Sequence, residues 1–165
     1  MVRKAKFGDI QRLAALMREM YQRSIYRDDC EFDEKAAKSL LMRCIQRHGG
    51  RQDGSTFVFV AERAGVVEGF IIAALSRLYG IGTKLLAADT HFNVSKRAHG
   101  RDAFKLIAAY EAWAAENEQV IEIDLWATNA VGDFRRTEKL YRRMGFQPFG
   151  VVLSKRVNTT ETKNV

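Results

Sequence analysis

The chain has 165 residues, 47% of them apolar, with a formal net charge of +7 and two cysteines. This length and composition suit one domain with one packed core, and no apolar run reaches the length of a membrane span, so no membrane role is expected. Cys30 and Cys44 are too few for a disulfide framework and belong to no metal-ligand pattern, so no metal is expected.

The opening Met1-Val2-Arg3-Lys4-Ala5-Lys6 leads into no hydrophobic signal region, which points to a cytoplasmic, reducing location. Residues 2–7 read as a first strand, broken by Gly8-Asp9, with Asp9 a candidate N-cap. Ile10, Leu13, Ala14, Met17, Met20 and Tyr21 recur at helical spacing and predict an amphipathic helix over 9–23. Polar residues 24–32 read as a loop. Asp33 can cap a second helix whose apolar stripe is Ala37, Leu40, Leu41, Cys44 and Ile45, ended by His48-Gly49-Gly50.

Residues 56–62 and 66–77 are rich in β-branched and aromatic residues, and the turn Arg63-Ala64-Gly65 between them predicts a hairpin. After a break at Gly80-Ile81-Gly82, residues 84–94 predict a further strand of the same sheet. Residues 95–100 form a basic loop. Apolar positions 103, 106, 107, 110, 113 and 114 predict a helix to about Asn117. Residues 120–127 predict a strand. Residues 133–144 predict a helix with Phe134, Thr137, Leu140, Tyr141 and Met144 facing in and Gly145 at the left-handed C-cap position. Residues 149–157 predict a last strand, and the polar tail 158–165 is expected to be disordered. The order is β α α β β β α β α β. It implies one α/β domain over 1–157, a mixed and mostly antiparallel sheet with helices on both faces.

A strand, a basic glycine-containing loop and a helix make a ready anion site. The first N–H groups of a helix lack partners within it, the helix dipole is positive there, and glycine lets the backbone approach a phosphate. Here the stretch is Arg97-Ala98-His99-Gly100-Arg101-Asp102-Ala103. It is neither a Walker loop nor a dinucleotide fingerprint. On physics alone it is a phosphate site or an ordinary basic turn. The positive charge also suits nucleic acid, but no helix-turn-helix or aromatic-rich sheet motif accompanies it, so nucleic acid is not the expected partner.

The spacing Phe92-x-x-x-x-Arg97-x-x-Gly100-x-x-Ala103 resembles the acyl-CoA loop of the GNAT acyltransferase superfamily, Arg/Gln-x-x-Gly-x-Gly/Ala after a hydrophobic residue. Asp102 stands where that pattern has a small residue, and the small residue follows at Ala103. Val2–Leu13 is similar to the family's first strand and helix, residues 66–71 to its third strand, and Leu140-Tyr141-Arg142-Arg143-Met144-Gly145-Phe146 to its Leu-Tyr-x-x-x-Gly-Phe motif. Within the superfamily, residues 97–117 most resemble proteins encoded by bacteriophages.

The resemblance implies a GNAT fold and an N-acyltransferase that moves an acetyl group from acetyl-CoA to a primary amine by direct attack. It implies a cofactor site of Phe92, Asn93, Val94, Arg97, Ala98, His99, Gly100, Arg101, Asp102 and Ala103, with a backbone N–H at 93–94 polarising the acyl carbonyl. Tyr141 is implied as the acid that protonates the leaving thiolate; the same spacing also suits a packed aromatic. Asp89 and His91 lie two apart on a strand, so they are expected on one face, as a pair able to deprotonate an amine or as a plain surface pair. Glu68 and Glu122 are weaker candidates. The implied acceptor is a small-molecule or peptide amine, near 21–32, where Asp28, Asp29 and Glu31 would suit a cation or form a plain solvated acidic loop. A homodimer is compatible with the sequence. Asp102 and the lack of a clear base carboxylate leave an alternative: a weakly active or inactive GNAT-fold binding protein, phage structural or host-interacting, working in the host cytoplasm if phage-encoded.

Overall fold

The computed structural model describes residues 1–157; the tail expected at 158–165 lies outside the described residues. One sheet of five strands runs in chain order: β1 (Val2–Lys4), β2 (Thr56–Arg63), β3 (Val66–Arg77), β4 (Leu85–Val94) and β5 (Val120–Asp124). The first three pairings are antiparallel, and β4 pairs with β5 in parallel. β2 and β3 form because Thr, Val, Ile and Phe pack well on a pleated surface. Their two-residue connection places Ala64 and Gly65 at φ 48° and 78°, the double left-handed turn whose twist matches a hairpin.

Four helices cover the sheet: α1 (Ile10–Tyr21), α2 (Glu34–Gln46), α3 (Gly100–Ala115) and α4 (Phe134–Arg143). Leu13, Leu16, Met17 and Leu41 of α1 and α2 pack on Val58, Val60, Val67, Phe70 and Ile72, one face of the sheet. Leu106, Tyr110 and Ala114 of α3 pack on Phe57, Ile71, Ala73, Leu75 and Ala87, the other face. These apolar side chains leave water, each worth about 1.5–3 kcal/mol when fully buried. α4 is less covered. Its predicted inward stripe Phe134, Thr137, Leu140 and Met144 is half-buried, and Tyr141 alone is buried. No helix among the described residues is long and apolar enough to cross a membrane.

Asp33 caps α2, accepting from the Ala36 N–H at 2.8 Å, and Gly145 at φ 94° follows α4. Other expectations need correction. Asp9 stands at the N-cap of α1 but its side chain makes no capping bond there; its carboxylate accepts from the Lys6 N–H and holds Arg3 at 2.7 Å, which ties β1 to the turn before α1. α3 starts earlier than the apolar stripe indicated, at Gly100, because its first turn is set by polar capping rather than by burial.

Residues 149–157 form no strand. Phe149, Val151 and Leu153 are exposed, and the segment is anchored by Arg156, which donates to the Ile25 carbonyl at 2.6 Å and pairs with Asp29 at 3.1 Å. β-propensity is realised only against a neighbouring strand, and no ladder partner runs beside this segment.

Candidate active site

The sheet opens between β4 and β5. The two strands pair only at Leu85↔Val120, Leu86↔Glu122, Ala87↔Ile123 and Ala88↔Asp124. Past Ala88 the outer edge of β4 has no ladder partner, and the strand expected to reach residue 127 stops at Asp124. Asp89 Oδ1 instead accepts from the Trp126 N–H at 2.8 Å, and Tyr141 Oη sits 3.5 Å from the Trp126 carbonyl. The chain leaving β5 is thus held off β4 by two side chains. Tyr141 also lies against Phe92 and Phe146, with ring centroids 6.3 and 6.1 Å away.

A β-bulge separates the expected Asp89–His91 pair. His91 stands opposite Ile72 and Asp89 opposite Ala73, so Thr90 is the extra residue. Ile72 belongs to the core under α1 and α2, Ala73 to the core under α3. Directly opposed residues share a face, so His91 lies on the α1 side and Asp89 on the α3 side. The expectation that they share a face fails because a bulge resets the alternation of a strand. The bulge carries no sequence mark here: Thr90 suits a regular strand equally well.

Burial pushes the Asp89 carboxyl up to about 6; the Trp126 N–H opposes this and Asp124 adds to it. Burial, and then the Asp89 charge, raise the Tyr141 hydroxyl, which therefore keeps its proton at neutral pH. Burial lowers His91, which favours its neutral form.

The Asp89 shift has a testable sign. The folded carboxyl holds its proton more tightly than the free one, so its stabilising contribution is complete below the ordinary 3.8 and is lost as pH rises through about 6. Asp89→Asn keeps an oxygen for the Trp126 N–H and removes the buried charge. Denaturant unfolding should show the variant more stable by about 2–3 kcal/mol near pH 8, with the difference vanishing near pH 4.

At the end of β4 the loop 95–99 is held from below by Glu68 of β3. Ser95 Oγ donates to Glu68 Oε2 at 2.7 Å, Arg97 Nε donates to Oε1 at 3.1 Å, and Arg12 of α1 reaches Oε2 at 3.0 Å. Burial pushes Glu68 up, but Ser95, Arg97 and Arg12 outweigh it and hold the carboxyl below its usual value. Glu68 is therefore an ionised anchor for the loop rather than a base. Its neighbour Gly69 is required by packing: a Cβ there would lie 2.8 Å from Val94 Cγ1 and 3.2 Å from the Asn93 carbonyl oxygen.

The first turn of α3 is capped from within. Asp102 Oδ2 accepts from the His99 N–H at 2.8 Å, and His99 Nδ1 accepts from the Arg101 N–H at 3.1 Å. Asp102 is thus a capping residue, which explains a carboxylate in a basic loop. Ala98 follows Ser95 in a tight turn, and Ala103 lies within the helix. A Cβ on Gly100 would meet nothing within 4 Å, so neither packing nor a positive φ requires glycine there. Lys96 and Arg101 make no ion pair among the described residues. Val94 and Phe92 pack at the rim of the α3-side core, and Asn93 lies on the α1 side, its Oδ1 accepting from Arg23 at 2.8 Å. A cleft of about 340 Å³ opens between the end of α1 and this loop, lined by Glu19, Gln22, Arg23, Ser95, Lys96 and Arg97.

No protein-family model matches the chain, and no curated protein matches it in sequence. Solved structures do match. The ribosomal-protein-alanine N-acetyltransferase of Brucella melitensis biovar Abortus 2308 superposes with a TM-score of 0.69 at 18% identity, over 95% of this chain and 99% of that one. The aminoglycoside N-acetyltransferase AAC(6')-Iy, in complex with the bisubstrate analogue CoA-S-monomethyl-acetylneamine, gives 0.68 at 17% identity, over 96% and 98%. A predicted acetyltransferase of Clostridium acetobutylicum, with acetyl-CoA, gives 0.65 at 16%, over 94% and 95%. With the mixed sheet, its opening after Ala88 and helices on both faces, these superpositions show that the chain has the GNAT N-acetyltransferase fold.

Proposed function

We propose that this chain is an acetyl-CoA-dependent N-acetyltransferase acting on a primary amine, with 1–157 as one catalytic unit. The observation that carries the reading is the opened β4 edge, flanked by a buried tyrosine hydroxyl and ended by a basic loop. The structural relatives solved with CoA analogues or acetyl-CoA support the cofactor, and those named for alanine and aminoglycoside acetylation support an amine acceptor.

The residues fit the cofactor. The free β4 edge offers backbone donors and acceptors to an extended, amide-bearing ligand, as it would to an added strand. Phe92 and the half-buried stripe of α4 offer it apolar contact. The unpaired Lys96 and Arg101, the outer nitrogens of Arg97 and the clear space at Gly100 suit phosphates; Ala98, His99, Asp102 and Ala103 shape that turn. Bound acetyl-CoA supplies a thioester whose acyl carbon accepts the amine, a C–N bond forming as the C–S bond breaks. A backbone N–H at 93–94 polarises the carbonyl. Tyr141 Oη holds a proton and gives it to the departing sulfur. Only one of Asp89 and His91 can face the amine, because the bulge puts them on opposite faces. Asp89 holds the Trp126 N–H and so positions the chain after β5; neutral His91 is the better proton acceptor.

Calorimetric titration with acetyl-CoA tests the reading. Saturable binding below millimolar concentration is expected, and no binding at millimolar cofactor contradicts it. Gly100→Trp should leave the thermal midpoint unchanged, since the space is open, yet weaken acetyl-CoA binding about tenfold or more, about 1.4 kcal/mol. A second reading, an inactive GNAT-fold binding protein of phage origin, is favoured by the capping box that uses up donors of the α3 first turn. Binding of cofactor with no thioester consumed by any amine would select it.

A further inference from the structure

On the α1 face of β4 the Asn93 side chain has no part in the cofactor contacts proposed above, which use only the backbone at 93–94. Asn93 is 8% exposed, and Arg23 fixes its amide. An arginine only donates, so the atom it touches is the oxygen, and Nδ2 is left without it. That Nδ2 is buried without a hydrogen-bond partner among the described residues. A buried amide N–H left unpaired costs about 1–3 kcal/mol, so a ligand oxygen that pairs with it recovers that cost.

Arg23 itself is unmatched. Its Nε donates to the Glu19 carbonyl at 3.2 Å and its Nη2 to Asn93, and it has no carboxylate within ion-pair distance among the described residues. It lines the cleft of about 340 Å³ at the end of α1, opposite Ser95, Lys96 and Arg97, so this space adjoins the loop proposed for the phosphates. His91 stands two positions before Asn93 on the same face, in a stretch where the pairing with β3 is regular. Meanwhile two carboxylates of the acidic loop expected to attract a cation are paired, and Glu31 makes no ion pair among the described residues. Asp28 pairs with Arg27 at 3.2 Å and Asp29 with Arg156 at 3.1 Å.

We propose that this face is the acceptor site and that it selects an amine carrying an adjacent carboxylate or carbonyl oxygen, which Arg23 and Asn93 Nδ2 bind while His91 faces the amine. The inference rests on the acetyltransferase reading for the use of the site, and it adds an α-oxygen to the amine expected of the acceptor. Its shared chemistry, an α-oxygen beside a primary amine, belongs both to free amino acids and to peptide N-termini. A carboxylate would engage Arg23 and Asn93 together, whereas an amide carbonyl would engage chiefly the Asn93 donor.

The test uses a set of α-amino acids, their α-amides and the amines left when the carboxylate is removed. Each is titrated into the full chain with CoA present, and the Asn93 side-chain NH₂ signals are followed by NMR, assigned through their loss in Asn93→Asp. Amino acids or amides should move those signals, and the decarboxylated amines should not. The stronger of the two responsive sets identifies the source. Arg23→Gln should weaken amino-acid binding about tenfold or more, as expected for a lost charge-assisted hydrogen bond, with acetyl-CoA affinity unchanged. The proposal is overturned if decarboxylated amines or polyamines move the signals equally, if nothing moves them, or if Arg23→Gln weakens acetyl-CoA instead. Failure of the wild-type chain to bind acetyl-CoA removes the acetyltransferase reading alone; the Asn93 response to the same amines without CoA then still decides whether the site exists.

Discussion

Tyr141→Phe is expected to lower kcat for acetyl transfer by about 100-fold while leaving the KM for acetyl-CoA nearly unchanged, the range ordinary for loss of a general acid. The substitution removes one oxygen. That oxygen's one hydrogen-bond partner among the described residues is the Trp126 carbonyl at 3.5 Å, too long to contribute much to stability. The ring keeps its place beside Phe92 and Phe146, so the thermal midpoint should hold. A tyrosine that merely packs would give the opposite pattern, with rate unchanged. Steady-state kinetics on the variant, followed by thiol release, separate the two. The loss of rate should be more severe for acetyl thioesters of thiols with high pKa, since those leaving groups need the proton most.

Arg97→Glu is expected to weaken acetyl-CoA binding about 100-fold, about 2.7 kcal/mol, measured by calorimetry. The present guanidinium is held by Glu68 through Nε and presents its outer nitrogens to solvent and, at 3.9 Å, to Glu19. A glutamate there meets two carboxylates and repels phosphate. Part of its effect would therefore be a displaced loop. Arg97→Gln removes the charge without adding a repulsion, and should keep the thermal midpoint closer to that of the native chain while still losing about tenfold in affinity. If neither variant changes cofactor binding, the loop is only a capped turn.

Much of the architecture was legible because it rests on periodic burial. Leu13, Ala14 and Met17, and Ala37, Leu41, Cys44 and Ile45, mark their helices by spacing and are buried in the structure. The boundaries of β3 matched as read, because the Arg63-Ala64-Gly65 turn and the Gly80 break enclose it. Illegible features depend on contacts distant in sequence. The bulge at Thr90 arises from how β3 and β4 register, and nothing in Asp89-Thr90-His91 announces it. Glu68 could be read only as a weak base candidate, since its partners Arg12, Ser95 and Arg97 come from three separate segments. Asp102 departs from the small residue of the loop pattern and is a plausible helix cap by type, and its bond to the His99 N–H gives it that task. The last predicted strand had the composition of a strand but no neighbour to pair with.

The catalytic claim and the cofactor claim meet in one assay. Incubating the full chain with acetyl-CoA and a panel of amines, including α-amino acids, α-amides and polyamines, and following free thiol gives the most direct test. Amine-dependent thiol release is expected, with N-acetylated product detected by mass spectrometry, saturating in both substrates and suppressed in Tyr141→Phe. Thiol release no faster than in the absence of the protein, across the whole panel, would contradict it.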